Sequence, residues 1–467
     1  MGNFGAGDGA GTVRVLIENG EYALRNRGDI AMLAMAVEHL RQRWPKARIG
    51  VLTEEPGILR GLLPGAEPVV ANTGGQWGRS GLAGLLDEQA GIRLLGPAAL
   101  QWRAATEGPK HYLRGLADRA RQEVKQYTGI GSDAASPPSL APIPAALAES
   151  DLVIALGGGY LTDSDRHQAH RALNLLEAAQ HQGIPTAMIG QGIGPLQDGE
   201  LVRRAAEVLP GVDLIAVRER RRGPALLDEL GVDPERVLLT GDDAIEFAYR
   251  SRRPGIGADL GVSLRISSRS QVSDAARETL GEVLRREAAA LDTALAPLIV
   301  AEGMGGDRRH TLPLLHGAPR AREPIARTGT AQDVVRQVSR CRVVVTSAYH
   351  LAVFALSQGI PAVAVTASQY YDDKFYGLAD MFDADTADAT AESGLRIVHL
   401  DADDLDTELT RAIRRLWESA PEVRDTLQQR AVEQIDAGRA GLDRVYGLVA
   451  GGDGLPTRTV QPAQGAR

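Results

Sequence analysis

A histidine at the end of a predicted strand is the strongest candidate for chemistry in this chain. His350 follows the β-branched run Val343 to Val345 and precedes an apolar segment, 351–358, that fits a short helix. Gly359 suits the end of that helix, and the apolar run 362–365 predicts the next strand. Strands joined in this way are parallel, and open parallel sheets bind ligands at the carboxyl ends of their strands. The sequence therefore predicts that His350 lies at a ligand site.

The position of His350 also predicts its charge. The first turn of a helix carries a partial positive charge, which disfavours imidazolium. We therefore expect a neutral ring near pH 7 that can accept a proton. A histidine that only caps the helix or packs beneath the next strand is the alternative interpretation. Tyr370, Tyr371 and Lys374 follow the next strand at the same sheet edge, which favours the functional role.

Glycine-rich and basic sequences follow three other predicted strands. Gly157-Gly158-Gly159 and Gly190-Gln191-Gly192 each come directly after an apolar run. Glycines in a loop at a strand end let backbone amides approach an anion closely, so we expect a phosphate cradle there. Arg218 follows a third run, and a guanidinium matches phosphate or carboxylate with two hydrogen bonds. Arg218 is therefore the best anion ligand at this edge.

Carboxylates complete the candidate site. Asp29, Asp163 and Asp242 lie in loops where they can orient the hydroxyls of a substrate. Each is also well placed to cap a helix, which is the commoner role of aspartate at such positions. For Asp29 the sequence predicts a cap on a helix whose apolar positions begin at Ile30.

Composition bounds the class of protein. The chain has 467 residues, a net charge of −8 and 4% aromatic residues. We expect no nucleic-acid partner, and few aromatic side chains disfavour a long sugar-stacking groove. No apolar run reaches the ~18 residues of a membrane span and no signal peptide is evident, so a cytoplasmic protein is expected. The one cysteine and the spacing of the histidines predict no metal site.

Alternating strands and helices predict an α/β fold with two facing Rossmann-like domains and C-terminal helices. The first strand lacks a G-x-G-x-x-G sequence, so no dinucleotide cofactor is expected. The irregular stretch 72–144 is either a specificity lid or a decoration of the first domain. The predicted parts are a disordered N-terminus 1–12, an N-terminal domain 13–250 with that insertion, a C-terminal domain 257–402, C-terminal helices 403–450 and a flexible tail 451–467.

Six motifs in order resemble the polysaccharide pyruvyl transferase family, whose architecture is similar to that of GT-B glycosyltransferases. They are N-R-G-D at 26–29, G-G-G-Y-L-T-D at 157–163, G-Q-G-I-G-P at 190–195, V-R-E at 217–219, D-D-A at 242–244 and S-A-Y-H at 347–350. The resemblance implies that a pyruvyl group passes from phosphoenolpyruvate to the hydroxyls of a sugar, giving a ketal and phosphate without an organic cofactor.

Carried onto this sequence, the resemblance implies two catalytic residues, His350 and Arg218. It also implies a set of residues that bind donor or substrate: Asn26, Asp29, Gly158, Gly159, Gln191, Gly192, Asp242, Ser347, Tyr371 and Lys374. The partners would be an anionic donor and a sugar-like acceptor, and a homo-oligomer is possible.

The chain departs from the family pattern at Ala348. The family has an arginine two positions before its histidine, and that arginine is expected to hold an acidic group of phosphoenolpyruvate. Arg218, Lys374 or a member of the set Arg265, Arg308 and Arg309 takes over this role, or the donor is a different anion.

Two further functions remain open from the sequence. One is a GT-B-type glycosyltransferase that uses a nucleotide-sugar donor. The other is a binding or scaffold protein that kept the fold and lost the chemistry.

Overall fold

The computed structural model describes residues 12–78, 81–106, 142–266, 271–303, 306–383 and 394–449. The predicted disordered N-terminus and flexible tail fall outside these ranges almost entirely. So does the larger part of the predicted insertion, 107–141.

Seven parallel strands form the first sheet, in the order β3-β2-β1-β4-β5-β6-β7. Sequence order changes direction between β1 and β4, so the loops after these two strands flank the point at which doubly wound sheets bind ligands. The strands are β1 Arg14–Glu18, β2 Arg48–Thr53, β3 Glu67–Val70, β4 Leu152–Leu161, β5 Thr186–Ile193, β6 Leu214–Val217 and β7 Val237–Leu239.

Five parallel strands form the second sheet, in the order β12-β11-β10-β8-β9. The central strand, β10, is the predicted strand before His350. The strands are β8 Asp259–Ser263, β9 Leu295–Pro297, β10 Cys341–Thr346, β11 Ala362–Thr366 and β12 Leu395–His399.

Helices cover both sheets, as the predicted α/β class requires. In the first domain they are α1 Arg27–Arg43, α2 Pro56–Leu62, α3 Gly81–Ala90, α4 at 96–106, α5 Arg166–His181, α6 Gly199–Val208, α7 Gly223–Glu229 and α8 Ala244–Tyr249. In the second part they are α9 Asp274–Ala290, α10 Asp307–Thr311, α11 Ala331–Val338, α12 Tyr349–Ser357, α13 Gln369–Phe382 and α14 Leu405–Val449.

The structure of the two glycine motifs contradicts the prediction that they form loops after strands. Gly157–Gly159 and Gly190–Gly192 do not form loops before helices, because both lie inside strands β4 and β5. Gly158 pairs with Gln191 in the ladder between β4 and β5, so the two motifs continue the pairing of these strands. A Cβ on Gly157 would lie 2.1 Å from the carbonyl oxygen of Gly190, so glycine is needed for this close approach.

The structure at the start of α1 contradicts a second prediction, that Asp29 caps this helix. Asn26, and not Asp29, caps this helix, since its side-chain oxygen accepts the backbone N–H of Gly28 at 3.0 Å. The helix therefore begins three residues before Ile30, and the carboxylate of Asp29 is not used as its cap.

Helix α12 is the packed centre of the molecule. All of its residues, 349–357, are buried, and its sequence is apolar on every side, which is typical of a helix with no exposed face. Phe354 on this helix is fully buried in a core that also contains residues of α1, α8 and α14.

Helix α14 spans 45 residues and contacts both domains. Its first half meets the second domain, where Arg414 pairs with the buried Glu287 at 2.6 Å. Its second half meets the first domain, where Arg439 pairs with Glu246 at 2.6 Å and Tyr446 packs edge-on against Trp44. Within the described ranges, no helix is long and apolar enough to cross a membrane.

Phe354→Ala should destabilise the protein by about 3–5 kcal/mol, because a fully buried aromatic side chain leaves a cavity when it is truncated. Denaturant unfolding measures this loss. Val432→Ala, at a position that is 36% exposed on α14, is the control and should change the free energy of unfolding by less than about 1 kcal/mol. An equal effect of the two substitutions would contradict the assignment of α12 as the packed centre.

Candidate active site

A cleft of about 300 Å³ lies between the carboxyl edges of the two sheets. The first domain contributes the loop after β1, the end of β4 and Arg218 after β6. The second domain contributes Arg265 after β8, residues 300–302 after β9, the start of α12 and the start of α13. The predicted arrangement, in which the strand ends of two domains face one gap, is thus the observed one.

The N-R-G-D motif at 26–29 builds one wall of this cleft. Asn26 caps α1, and Arg27 crosses into the second domain, where its guanidinium donates to the carbonyl oxygens of Gly329 at 2.7 Å and Arg327 at 3.1 Å. Gly28 supports the ring of His350 directly, since a Cβ at this position would lie 2.2 Å from Cγ of the imidazole. Asp29 then points its carboxylate into the cleft.

His350 lies on the cleft wall, as predicted, with 9% of its side chain exposed. Nδ1 is 3.7 Å from Oδ1 of Asp29, and Nε2 is 3.8 Å from Oδ2 of Asp242. The Sδ atom of Met32 is 3.3 Å from Nε2. The ring is thus held between two carboxylates, one on the cleft and one behind it.

The imidazole is held neutral, but helix α12 is not the main reason. Burial lowers the pKa of His350 to about 4, and the cation of Arg218 adds to this effect while Asp242 opposes it. Lys374 and Arg265 act in the same direction as Arg218. A neutral ring near pH 7 can accept a proton and cannot supply one.

Arg218 lies beneath His350 and is almost fully buried. Its Nη1 donates to Oδ2 of Asp242 at 3.1 Å, and its guanidinium stacks over the ring of Tyr349 at 4.2 Å from the centroid. Gly192 lets the guanidinium approach the strand, since a Cβ there would lie 2.7 Å from Nη2. Arg218 lines the cleft, but its charge is partly balanced by Asp242.

Arg265 is the other buried guanidinium at the cleft. Its Nε donates to Oδ1 of Asp307 at 2.9 Å, whereas Nη2 is buried with no hydrogen-bond partner among the residues that the structure describes. Burial by itself lowers the pKa of this group, but the net pKa is raised, because the charge and hydrogen bond of Asp307 and the charges of Tyr371 and Asp29 together outweigh that effect. An arginine that stays charged and has an unused donor can bind an anion in the cleft.

The other two arginines of the predicted set are placed differently. Arg308 donates to both oxygens of Glu302 and to the carbonyl of Ile325, and Arg309 is exposed. Neither lines the cleft. Of the set named from the sequence, Arg265 is therefore the member that lines the cleft.

Asp29 has the most unusual environment of the cleft carboxylates. Its Oδ2 accepts the side-chain N–H of Asn26 at 2.9 Å. Burial raises the pKa of Asp29 to about 7, and the nearby Glu21 adds to the shift. The cations of Arg265, Arg218 and Lys374 oppose it. Asp29 is therefore balanced between its protonated and ionised forms near neutral pH.

Helix α13 closes the cleft from the side of the second domain. Lys374 donates to the hydroxyl of Tyr370, which in turn donates to the carbonyl oxygen of Gly159 at 3.1 Å. A Cβ on Gly159 would lie 2.2 Å from Nζ of Lys374, so the ammonium lies directly against strand β4. Tyr371 lines the cleft beside Tyr370, with the two rings edge to face.

Eight of the twelve residues predicted for the site line this cleft: Asn26, Asp29, Gly158, Gly159, Arg218, His350, Tyr371 and Lys374. The other four are held elsewhere. Asp242 lies behind His350 and pairs with Arg218, and Gln191 is buried where it donates to the carbonyl of Ala155 at 2.9 Å. Gly192 packs under Arg218, and Ser347 accepts the backbone N–H of Arg265 at 2.7 Å.

Four charged cleft residues had no signal in the sequence motifs: Glu21, Arg25, Asp165 and Glu302. Glu21 and Arg25 belong to the loop between β1 and α1, just before the N-R-G-D motif. A polar loop at the carboxyl end of the first strand is the one feature that could have indicated them.

Two domains whose parallel sheets face one cleft define the GT-B class of fold. A putative UDP-N-acetylglucosamine 2-epimerase from Listeria monocytogenes superposes with a TM-score of 0.55 at 13% identity, covering 95% of this chain and 98% of that one. UDP-GlcNAc 2-epimerase from Neisseria meningitidis, in a structure bound to UDP-GlcNAc, gives 0.52 at 11% identity, covering 93% and 99%. At such identity the likeness concerns the fold alone.

The sequence profile of the polysaccharide pyruvyl transferase family matches residues 26–369, from the cap of α1 to the first residue of α13. The chain therefore belongs to this family. No curated protein sequence matches it significantly.

Asp29→Asn should stabilise the protein more at pH 8 than at pH 5. The pKa of Asp29 is about 7 in the fold and near 4 in the unfolded chain, so the folded state binds the proton more tightly and wild-type stability falls as the pH rises toward 7. Asparagine does not ionise, so the variant avoids this decrease in the free energy of unfolding, which amounts to about 2 kcal/mol between pH 5 and pH 8. Thermal unfolding at both pH values measures it.

The control for this experiment is Asp425→Asn, at an exposed position on α14. Its effect on the melting temperature should be the same at pH 5 and pH 8. A stability difference between Asp29→Asn and wild type that does not change with pH would contradict the raised pKa.

Proposed function

We propose that this protein transfers the pyruvyl group of phosphoenolpyruvate to a sugar-type acceptor and forms a pyruvate ketal. Membership of the family supports the reaction class. The single observation that carries the proposal is the cleft itself, where a neutral imidazole at 350 and an unpaired donor of Arg265 line the same cavity between the domains.

The reaction balances without an oxidant or reductant. One acceptor oxygen bonds to C2 of the donor while C3 gains a proton and becomes a methyl group. The bond between C2 and the phosphate oxygen then breaks, and a second acceptor oxygen bonds to C2. Of the two hydroxyl protons that are released, one balances the proton gained at C3 and the other leaves with phosphate.

The donor carries a carboxylate and a phosphate, so its site must supply positive charge. Arg265 supplies an unused guanidinium donor, and Lys374 and Arg25 add cationic groups to the cleft lining. Ala348 directly precedes helix α12, at the position where the family has its arginine, and it too lines the cleft. Arg265 therefore takes the role that Ala348 cannot fill, from a different strand of the same sheet.

His350 acts as the base that takes the proton of the acceptor hydroxyl. Its lowered pKa keeps the ring neutral, and Gly28 fixes its position. Asp242 lies 3.8 Å from Nε2 and stabilises the imidazolium that forms. The small aromatic content of the chain and the modest volume of the cleft favour a small acceptor.

His350→Gln should lower kcat by about 100- to 10,000-fold, which is the usual contribution of a positioned base. Phosphate release from phosphoenolpyruvate in the presence of a panel of sugar acceptors measures this loss. The affinity for phosphoenolpyruvate and the melting temperature should stay close to the wild-type values. His316→Gln, at an exposed position, is the control. A folded His350→Gln protein with wild-type turnover would disprove the assignment.

Arg265→Met should weaken phosphoenolpyruvate binding by about 10- to 100-fold, because a hydrogen bond to a charged group contributes about 1.5–3 kcal/mol. Asp307 keeps the two backbone N–H groups of Val300 and Ala301, so the fold should survive. Titration calorimetry measures the affinity, with Arg309→Met as the exposed control.

Two results would count against this proposal. An unchanged donor affinity in Arg265→Met would remove Arg265 from the donor site. Thermal stabilisation of the wild-type protein by UDP-GlcNAc, with none by phosphoenolpyruvate, would favour a nucleotide-sugar donor instead.

A further inference from the structure

The proposed reaction needs an acid as well as a base, because carbon C3 of the donor must gain a proton. His350 cannot be that acid near neutral pH, since its ring is held neutral. Arg218 and Arg265 have raised pKa values and do not give up protons readily. Carboxylic acids give up a proton more readily than the tyrosine phenols of the lining, so the candidates for the acid are its carboxyl groups, which are Glu21, Asp29, Asp165 and Glu302.

Contacts within the protein occupy three of these four carboxylates. Both oxygens of Glu21 accept backbone N–H groups of the loop that follows it, at 3.2 and 2.9 Å. Glu302 pairs with Arg308 at 2.8 Å and with Arg327 at 3.1 Å. Asp165 caps helix α5. These contacts fix the three groups as hydrogen-bond acceptors within the protein. Burial raises the pKa of Glu21, but both of its oxygens already accept backbone N–H groups.

Asp29 differs from the other three in geometry. Its Oδ2 accepts one side-chain N–H from Asn26, which orients the group. Its Oδ1 faces the imidazole, 3.7 Å from Nδ1 of His350, and the residue lines the cleft. It is thus a carboxyl group with one oriented oxygen and one oxygen directed at the proposed base.

We propose that Asp29 is the general acid that delivers a proton to the methylene carbon of the enolpyruvyl donor, and that His350 restores this proton. This inference rests on the proposed function. His350 takes a proton from the first acceptor hydroxyl as its oxygen bonds to C2, while Asp29 gives one to C3. The imidazolium then passes its proton to the Asp29 carboxylate, and the proton of the second hydroxyl leaves through His350 with the phosphate.

The electrostatics of the cleft support this assignment. Burial raises the pKa of Asp29 to about 7, with Glu21 acting in the same direction, so the group holds a proton in mildly acidic to neutral solution. The charged groups that face it from the other elements are Arg218, Arg265 and Lys374, and all three moderate the shift. An acid with a pKa near the working pH combines a protonated ground state with ready transfer.

The pair makes a specific prediction for the pH dependence of turnover. His350 must be neutral, which holds above about pH 4, and Asp29 must be protonated, which holds below about pH 7. The rate should therefore rise with pH through the first value and fall through the second, with an optimum between them. These are the apparent pKa values of a coupled pair.

The experiment compares wild type, Asp29→Asn, Asp29→Glu and Asp29→Ala by phosphate release from phosphoenolpyruvate with the same acceptor panel. We expect Asp29→Asn to lose at least 100-fold in kcat while it binds phosphoenolpyruvate at least as tightly as wild type, since a carboxylate is removed from an anion site. Asp29→Glu should keep measurable turnover and move the alkaline limb of the pH profile. Added acetate should rescue Asp29→Ala, and more strongly at lower pH.

The outcomes separate this inference from the function on which it rests. Asp29→Asn turnover within tenfold of wild type, with the alkaline limb unchanged, would overturn the role of Asp29 and leave the proposed function intact. Loss of activity without rescue by acetate, together with weakened donor binding, would show that Asp29 is only structural. Wild-type protein that releases no phosphate from phosphoenolpyruvate with any acceptor would overturn the proposed function, and this inference with it.

Discussion

The docking of Arg27 into the second domain is the interaction on which the rest of the site depends. Its side chain is 6% exposed and donates to backbone carbonyls of residues that follow α10 and precede α11. Its own backbone N–H donates to the carbonyl of Val300 at 2.8 Å, and Asn26 bridges to Ala301. A buried guanidinium must satisfy its donors, so these bonds hold the first turn of α1 against the end of β9. Gly28 and Asp29 then have to lie beside His350.

Because the two domains pack together in this way, the side chains of the cleft are shielded from water. Away from solvent, the charged form of each group is disfavoured, which lowers the pKa of His350 and raises that of Asp29. The two shifts move in opposite directions because one group is cationic and the other anionic when charged. The neutral imidazole and the partly protonated carboxyl group that the proposed mechanism needs thus have one physical cause, and neighbouring charges adjust both pKa values.

In the proposed donor site, a cation from a neighbouring strand takes the place of the family arginine that Ala348 replaces. Ala348 and Arg265 follow the neighbouring strands β10 and β8, whose carboxyl ends meet at one edge of the second sheet. Ser347 ties the two strand ends together through the backbone of Arg265. Arg265 and Ala348 therefore line the same cavity. Because one sheet fixes both strand ends, a cation that follows β8 can serve the proposed donor site in place of one that follows β10.

The sequence by itself determined the α/β class, the family and the place of His350 just after β10, because these follow from local apolar periodicity and short motifs. It did not determine which polar side chains face the cleft. Asp242 and Gln191 follow or end strands as His350 does, yet they are buried, because pairing between β4 and β5 and the packing of Arg218 carry them inward. Arg265 has no motif of its own, and its partner Asp307 lies 42 residues further along the chain. Only the tertiary structure decided the raised pKa of Asp29 and the burial of Nη2 of Arg265 without a hydrogen-bond partner among the described residues, because both arise from burial between segments that are distant in sequence.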